Sequence, residues 1–152
     1  MEQPIHCSLK RYFFKKVRDI LTDDGICLLH TIGSVDPPGP TQPFIQKRIF
    51  PGGVVPSLSD LTIPIEKTGL IIADCETLIH HYDKTLKAWL DRFMQNKDKA
   101  KSLYNKEFVR MWEFYLASCS AAFKFRDLVV YQLQLVKNFT APPSNRRNYI
   151  YQ

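Results

Sequence analysis

The feature that most constrains the fold is an apolar run, Ile26–Ile32, whose only polar members are His30 and Thr31. A strand that is buried on both faces has this composition, and such strands occur in the parallel sheets of α/β proteins. The loop that follows, 33–40, contains three prolines. Open α/β sheets bind ligands beyond the carboxyl ends of their strands, so we expect a ligand near this loop.

Apolar spacing predicts the remaining elements. Ser8 is a suitable N-cap for a first helix that ends near Leu21, and Ser57 with Asp60 has the spacing of a capping box. The helix that this box opens contains Pro64, which costs about 3 kcal/mol in a helix interior, so we expect a kink or an interruption there. The predicted order is helix 8–21, strand 26–32, short helix 44–49, helix from 58, strand 70–78, helix from 83, polar stretch 96–102, helix from 106 and strand 128–136.

Three of the predicted helices carry apolar stripes, which indicate the faces expected to pack into a core. The stripe of the helix from 83 consists of Leu86, Trp89, Leu90, Phe93 and Met94. The stripe of the first helix consists of Leu9, Tyr12, Phe13, Val17, Ile20 and Leu21. The stripe of the last helix consists of Phe108, Met111, Trp112, Tyr115, Cys119, Ala122 and Phe123.

Composition narrows the class of protein. Hydrophobic residues make up 45% of the 152 residues, but no run reaches the roughly 18 apolar residues of a membrane-spanning helix. The first residues have no apolar signal-peptide core, so we expect a cytoplasmic protein, either unattached or peripheral at the inner face of the membrane. The four cysteines are widely spaced, which favours reduced thiols over disulfides or a metal site. The net charge of +6 suits nucleic acid, an anionic lipid surface or an acidic substrate.

Four short motifs occur in an order that resembles the cyclopropane-fatty-acyl-phospholipid synthases and mycolic acid cyclopropane synthases. The resemblance covers roughly residues 12–136, and each motif is weak by itself. The motifs are Leu28–Gly33; Ile49–Gly53 followed by Pro56 and Ser57; His81–Leu86 with Trp89; and Phe108–Trp112 followed by Tyr115, Leu116 and Ala121–Phe123.

The resemblance implies an α/β fold, the C-terminal half of a class I Rossmann-like methyltransferase. Its three strands would belong to a mostly parallel sheet with one antiparallel strand, with a helical insertion. Residues 1–137 would form this half of the catalytic domain, and 138–152 a mobile tail. The family transfers a methyl group from S-adenosylmethionine to an unsaturated acyl chain of a phospholipid and then closes a cyclopropane ring, here at an anionic membrane surface.

The same resemblance implies roles for four residues. Methylation of an alkene leaves a carbocation, which a dry pocket protects from water and aromatic faces stabilise. A bicarbonate would accept the proton lost from the added methyl group. By resemblance, the ring of His30, the backbone N–H of Ile32 and the hydroxyl of Tyr82 bind this bicarbonate, and Phe50 lines the acyl pocket.

Each of these residues also has an ordinary structural interpretation. His30 at the end of an apolar strand would commonly be a structural histidine, Phe50 a core residue and Tyr82 a helix-entry residue. His80 and His81 have no acidic or thiol cluster beside them and are expected to be surface residues rather than metal ligands.

The sequence departs from the family in the methyl-donor region. No GxGxG-like segment occurs in it, so we expect the S-adenosylmethionine site to be missing and no residue here to bind that cofactor. Glu2 is out of register with the family's glutamate. We therefore expect a chain that is inactive without a separately encoded N-terminal half, and that otherwise self-associates through an exposed strand. The alternatives are a non-catalytic remnant or lipid-binding or regulatory module and, less favoured because no groove-reading motif occurs, a nucleic-acid-binding protein.

Overall fold

The computed structural model describes residues 5–142 and 147–150, and within them an α/β fold as predicted. The elements are α1 Ile5–Ile20, β1 Ile26–Ser34, α2 Pro43–Arg48, α3 Leu58–Thr68, β2 Ile71–Leu78, α4 His81–Gln95, α5 Lys97–Leu103, α6 Lys106–Phe125, β3 Leu128–Val136 and a 3-10 helix, Arg147–Ile150. Among these residues no helix combines the length and apolar character needed to cross a bilayer.

The three strands pair in the order β1-β3-β2. The amide of Val35 donates to the carbonyl of Asp127, and His30 lies beside Gln132, so residue numbers rise on one strand as they fall on the other. The pairing is therefore antiparallel, and the predicted mostly parallel sheet is not confirmed. Because β3 lies between β1 and β2, these two strands do not pair with each other, and each pairs with the antiparallel β3.

The chain divides into two compact units, and parts of all three strands occur in each. The first unit comprises Met1–Thr31, Pro56–Thr77 and Tyr131–Gln152. In it α1 packs on α3, and Lys10 Nζ lies 3.2 Å from Asp60 Oδ1. Its buried residues are Phe14, Ser57, Leu61, Pro64, Ile65, Leu70, Tyr131, Leu133, Leu135 and Val136.

Helix α1 differs from its prediction in two ways. It begins at Ile5, so Ser8 lies inside the helix and is not its N-cap. Phe14 is only 2% exposed, whereas Tyr12 of the predicted core stripe is 70% exposed. Leu9, Phe13 and Ile20 of the same stripe are exposed as well. Val17 of the stripe is half-buried on the same side of the helix as Phe14, so the buried face overlaps the predicted stripe only in part.

Strand β1 also differs from its prediction, because it is not buried on both faces. Its exposure alternates along the strand, and Leu28 is 58% exposed. A position at the edge of the three-stranded sheet is consistent with this alternation.

Helix α3 begins as the sequence predicts. The Ser57 hydroxyl accepts from the Asp60 amide at 3.3 Å, and the Ser57 amide donates to Asp60 Oδ2 at 3.1 Å, which completes the capping box. Pro64 does not interrupt the helix, contrary to one of the two predicted outcomes. Its ring is buried with Leu61 and Ile65, and this burial offsets the cost of proline in a helix interior.

The second unit comprises Ile32–Val55 and Leu78–Val130. Helix α4 packs along α6, and the core consists of Leu86, Tyr115, Leu116, Phe123 and Val130. The predicted polar stretch 96–102 is instead the short helix α5, which packs on α6. The Asn105 side chain accepts from the Phe108 amide at 2.7 Å and caps α6.

The predicted mobile tail, 138–152, lies partly outside the described residues. In the described part, Arg147 Nε lies 2.7 Å from Asp74 Oδ2 and its Nη2 lies 3.6 Å from Glu76 Oε1.

Candidate functional site

His30 lies on β1 in the first unit, where its side chain is exposed. Its Nδ1 is 3.1 Å from Nε2 of Gln132 on β3. An amide nitrogen donates and does not accept, so in this arrangement Nδ1 is the acceptor and the ring proton is on Nε2. The pair therefore leaves His30 with an N–H donor on the side of the ring opposite Gln132, as an anion ligand requires.

Ile32 lies two residues further along β1, in the second unit. Strand alternation places its side chain on the same face as that of His30. Its side chain is 37% exposed, so it is not a core residue.

Tyr82 is the second residue of α4, and its half-buried ring packs among aromatic side chains of the second unit. The ring centroid lies 5.1 Å from that of Phe123 and 6.0 Å from that of Trp89. Immediately before α4, His80 has φ 58°, a left-handed conformation that is uncommon outside glycine. This strained residue sets the direction in which α4 begins, and hence the place of Tyr82.

Asp83, the next residue, has a buried Oδ1 with no hydrogen-bond partner in the part of the chain that the structure describes. An unpaired buried oxygen costs about 1–3 kcal/mol, so this atom is a place where a ligand or another segment could supply a donor.

Phe50 follows α2 and is 53% exposed. Its amide donates to the Ile45 carbonyl at 2.9 Å, and its carbonyl accepts from the Gly53 amide at 2.9 Å. Gly52 has φ 73°, and a Cβ on Gly53 would lie 3.0 Å from the Phe50 carbonyl oxygen, so the turn favours glycine at both positions. The turn presents the Phe50 ring to Tyr115, with the ring centroids 6.0 Å apart.

Helix α6 connects the two aromatic site residues of the second unit. Phe50 contacts its Tyr115, and Tyr82 contacts its Phe123. We call Tyr104, Phe108, Trp112 and Tyr115 the aromatic series, because each ring contacts the next at centroid distances of 4.3, 5.7 and 5.2 Å. The structure thus brings Phe50 and Tyr82 to one helix of the second unit, whereas His30 belongs to the first.

Burial disfavours ionisation of two polar groups in this aromatic region. Burial raises the pKa of the Cys119 thiol to about 11. Burial, and then the neighbouring Cys119 and Tyr82, raise the pKa of Tyr115. Neutral thiol and phenol groups are poorer nucleophiles than their anions.

Sequence reasoning missed two residues of this site. The sequence pattern places Gln132 only within the predicted strand 128–136, and its contact with His30 depends on the pairing of β1 with β3. Tyr115 was assigned only to the core stripe, and its contact with Phe50 depends on tertiary packing.

Comparison with solved structures first defines the class. The structure is similar to the mycolic acid cyclopropane synthase CmaA1 complexed with SAH and CTAB, with a TM-score of 0.76 and 28% identity, over 84% of this chain and 50% of that chain. The fold is that of the S-adenosylmethionine-dependent methyltransferases.

The family follows from the sequence. The mycolic acid cyclopropane synthetase family matches residues 4–133, and the chain belongs to this family. It is 45% identical over 105 residues to the tuberculostearic acid methyltransferase UfaA1 of Mycobacterium tuberculosis. The aligned residues cover 68% of this chain and 24% of that protein. It is 35% identical over 130 residues to the cyclopropane-fatty-acyl-phospholipid synthase of Escherichia coli. The aligned residues cover 84% of this chain and 34% of that protein. The chain thus spans about a quarter to a third of the length of these relatives.

Three glycines of the described residues lie at a turn or a helix end. The sequence has six glycines and no GxGxG-like segment. Gly52 and Gly53 form the turn at Phe50, and Gly69 ends α3 in the left-handed conformation, so these glycines already have structural roles. Among the described residues we assign none to binding the methyl donor.

Proposed function

We propose that these residues form the acyl-acceptor part of an S-adenosylmethionine-dependent methyltransferase that converts unsaturated acyl chains of phospholipids to cyclopropane fatty acids. In this proposal the methyl donor is bound by a segment outside the 152 residues. The observation that carries the proposal is that aromatic side chains of α6 contact both Phe50 and Tyr82.

The chemistry of the acceptor accounts for this region. An alkene that attacks a methyl cation equivalent becomes a carbocation on the acyl chain, which water or an anionic side chain would capture. Aromatic faces attract a cation by about 0.5–2 kcal/mol each and contribute no nucleophile. Phe50 is half exposed and held by a glycine turn, so it can line an acyl chain without moving the core.

We further propose that His30, the Ile32 amide and Tyr82 bind bicarbonate. The Nε2–H of His30 is oriented by Gln132, and the Tyr82 hydroxyl is a hydrogen-bond donor on a half-buried ring. Hydrogen-bond donors aimed at an anion stabilise it most where water is excluded. Bound bicarbonate supplies a base for the proton that leaves the added methyl group.

The test is a chimera in which these residues replace the matching C-terminal part of the E. coli synthase, expressed in a strain that lacks its own enzyme. Cyclopropane fatty acids are measured in the membrane lipids, and binding of S-adenosylmethionine is measured on the purified chimera. We expect product, a loss of about 100-fold or more in His30→Gln and a smaller loss in Tyr82→Phe. Phe139→Ala, a change at an exposed residue, is the matched control.

A chimera that binds S-adenosylmethionine but makes no product would refute the acceptor role. Calorimetric titration of the 152-residue chain with S-adenosylmethionine tests the donor part of the proposal separately. We expect no binding, and micromolar binding would mean that these residues do build a methyl-donor site.

A further inference from the structure

Two exposed apolar residues lie at the turn between α5 and α6. Leu103 ends α5 and is 69% exposed, and Tyr104, which follows it, is 66% exposed. Only Tyr104 and Asn105 separate the two helices, so the apolar pair lies at a tight corner of the second unit. We call residues 97–106 the α5–α6 corner.

The corner is held in place by specific contacts. The Tyr104 amide donates to the Ala100 carbonyl at 3.0 Å, and Asn105 caps α6. The Tyr104 ring stacks on Phe108 with centroids 4.3 Å and planes 23° apart. An exposed tyrosine that is fixed by stacking on a helix loses little further rotamer entropy when it binds a surface.

Basic residues surround the apolar pair. The corner contains Lys97, Lys99, Lys101 and Lys106 against one acidic residue, Asp98, and the side chains of all five are exposed. In α5 only Ala100 is partly covered, so this helix directs nearly its whole circumference to solvent. Lysines beside an exposed leucine and tyrosine are the composition of segments that lie at a membrane interface.

We propose that the α5–α6 corner docks this protein on the surface of an anionic phospholipid bilayer. Leu103 and Tyr104 enter the headgroup region, and the lysines contact lipid phosphates. This inference rests on the proposed function, because a bilayer is the source of the acyl substrate. The aromatic series runs from Tyr104 to Tyr115, which contacts Phe50, so the docking surface and the proposed acyl-pocket residue lie at the two ends of one series of rings.

Charge and apolar character together favour a bilayer over other partners. A second copy of the chain would bring the same lysines against each other. A nucleic acid would use the lysines but would gain nothing from Leu103. An anionic bilayer uses both features.

The experiment is cosedimentation of the 152-residue chain with vesicles of phosphatidylglycerol and phosphatidylcholine, and with vesicles of phosphatidylcholine alone. Each basic residue near an anionic leaflet contributes about fivefold to partitioning. The triple variant Lys97→Gln, Lys99→Gln, Lys101→Gln is therefore expected to bind anionic vesicles about 100-fold more weakly. Leu103→Ser is expected to bind about tenfold more weakly, because it removes the inserted apolar side chain.

Matched controls separate docking from general charge and folding effects. Arg11→Gln, Lys16→Gln, Lys67→Gln makes the same change of charge at exposed positions of the first unit and should bind as the unchanged chain does. Lysine-to-arginine changes at the three corner positions should retain binding, and near-ultraviolet circular dichroism checks that each variant is folded.

Equal losses in the corner and control variants would overturn the proposal, as would unchanged binding of the corner variant. The proposal would also be overturned if the triple lysine variant of the corner lost more binding to duplex DNA than to anionic vesicles. His30→Gln should leave vesicle binding unchanged, so failure of docking and failure of the proposed chemistry are distinguishable.

Discussion

Replacing Gln132 by glutamate is expected to reverse which ring nitrogen of His30 carries the proton. In the unchanged protein the Gln132 amide lies 3.1 Å from Nδ1 and donates to it. A neutral hydrogen bond contributes about 1 kcal/mol net, so it favours the Nε2–H tautomer by about fivefold. A glutamate oxygen at the same place can only accept, and an exposed charge-assisted bond of about 1.5 kcal/mol favours Nδ1–H by about tenfold.

The assay is nitrogen-15 NMR of the imidazole nitrogens at pH 9, above the ordinary histidine pKa of about 6.5. A spectrum of His30→Gln identifies the His30 signals among those of the four histidines. We expect Nε2–H in the unchanged chain, a mixture of tautomers in Gln132→Leu and Nδ1–H in Gln132→Glu. Gln46→Glu, at an exposed residue of α2, makes the same change of charge elsewhere in the chain, is the control and should leave the His30 signals unchanged.

The tautomer has a consequence for the proposed chemistry. Loss of the Nε2–H would remove one hydrogen bond to the anion, so Gln132→Glu in the E. coli chimera should lose about 100-fold in product formation without losing vesicle binding. A predominant Nδ1–H tautomer in the unchanged chain would refute the reasoning, since the Gln132 amide would then face His30 through its oxygen.

Three further predictions concern stability, each measured by urea denaturation. The folded pKa of Cys119 is about 11 against an ordinary value of 9.0, so the unfolded thiol ionises first, and stability is intact below pH 9 and falls as the pH rises to 11. Allowing for partial exposure, this loss is about 1–2 kcal/mol, and it should disappear in Cys119→Ser. Ser57→Ala removes the α3 cap and should cost about 1 kcal/mol at all pH values, and an unchanged stability would contradict the capping box. His80 has a left-handed backbone conformation, which glycine adopts freely and a β-branched residue does not. His80→Gly should therefore change the free energy of unfolding by less than about 1 kcal/mol, and His80→Val should lower it by more than that. Equal effects of the two substitutions would argue against backbone strain at this residue.

The strands were the most predictable part of the fold. β3 was predicted with its observed bounds, because Leu128–Val136 is an apolar run bounded by charged residues. Their arrangement could not be predicted from spacing, since the insertion of β3 between β1 and β2 depends on contacts between distant parts of the chain. The resemblance to the family predicted the strand arrangement better than spacing did, because it implied one antiparallel strand.

Helix faces were harder to predict than helices. In α1 the adjacent residues Tyr12, Phe13 and Phe14 are all aromatic, so periodicity alone does not decide which of them is buried. Packing on α3 buries Phe14. Helix α5 cannot be predicted from periodicity, because nearly all of its side chains are exposed and it has no apolar stripe.

The candidate site residues were predicted from the resemblance to the family. The contacts that surround them are visible only in the structure. Sequence patterns gave His30, Phe50 and Tyr82 only structural interpretations. The partner of His30 is 102 positions away in the sequence, which only the register of β1 and β3 reveals. The contact of Phe50 with Tyr115 likewise requires the turn at Gly52 and Gly53 to be formed.

The exposed apolar residues of the first unit lead to a last prediction, that the isolated chain self-associates. β1 is an edge strand with Leu28 58% exposed, and α1 exposes Tyr12 and Ile20. Edge strands with apolar faces pair with other chains unless they are covered. Sedimentation velocity over a range of concentrations should detect oligomers, and Leu28→Lys should shift the population toward monomer. Phe139→Lys is the control, because Phe139 is 88% exposed and lies outside the strands. A chain that sediments as a monomer at all concentrations would mean that this apolar surface needs no partner.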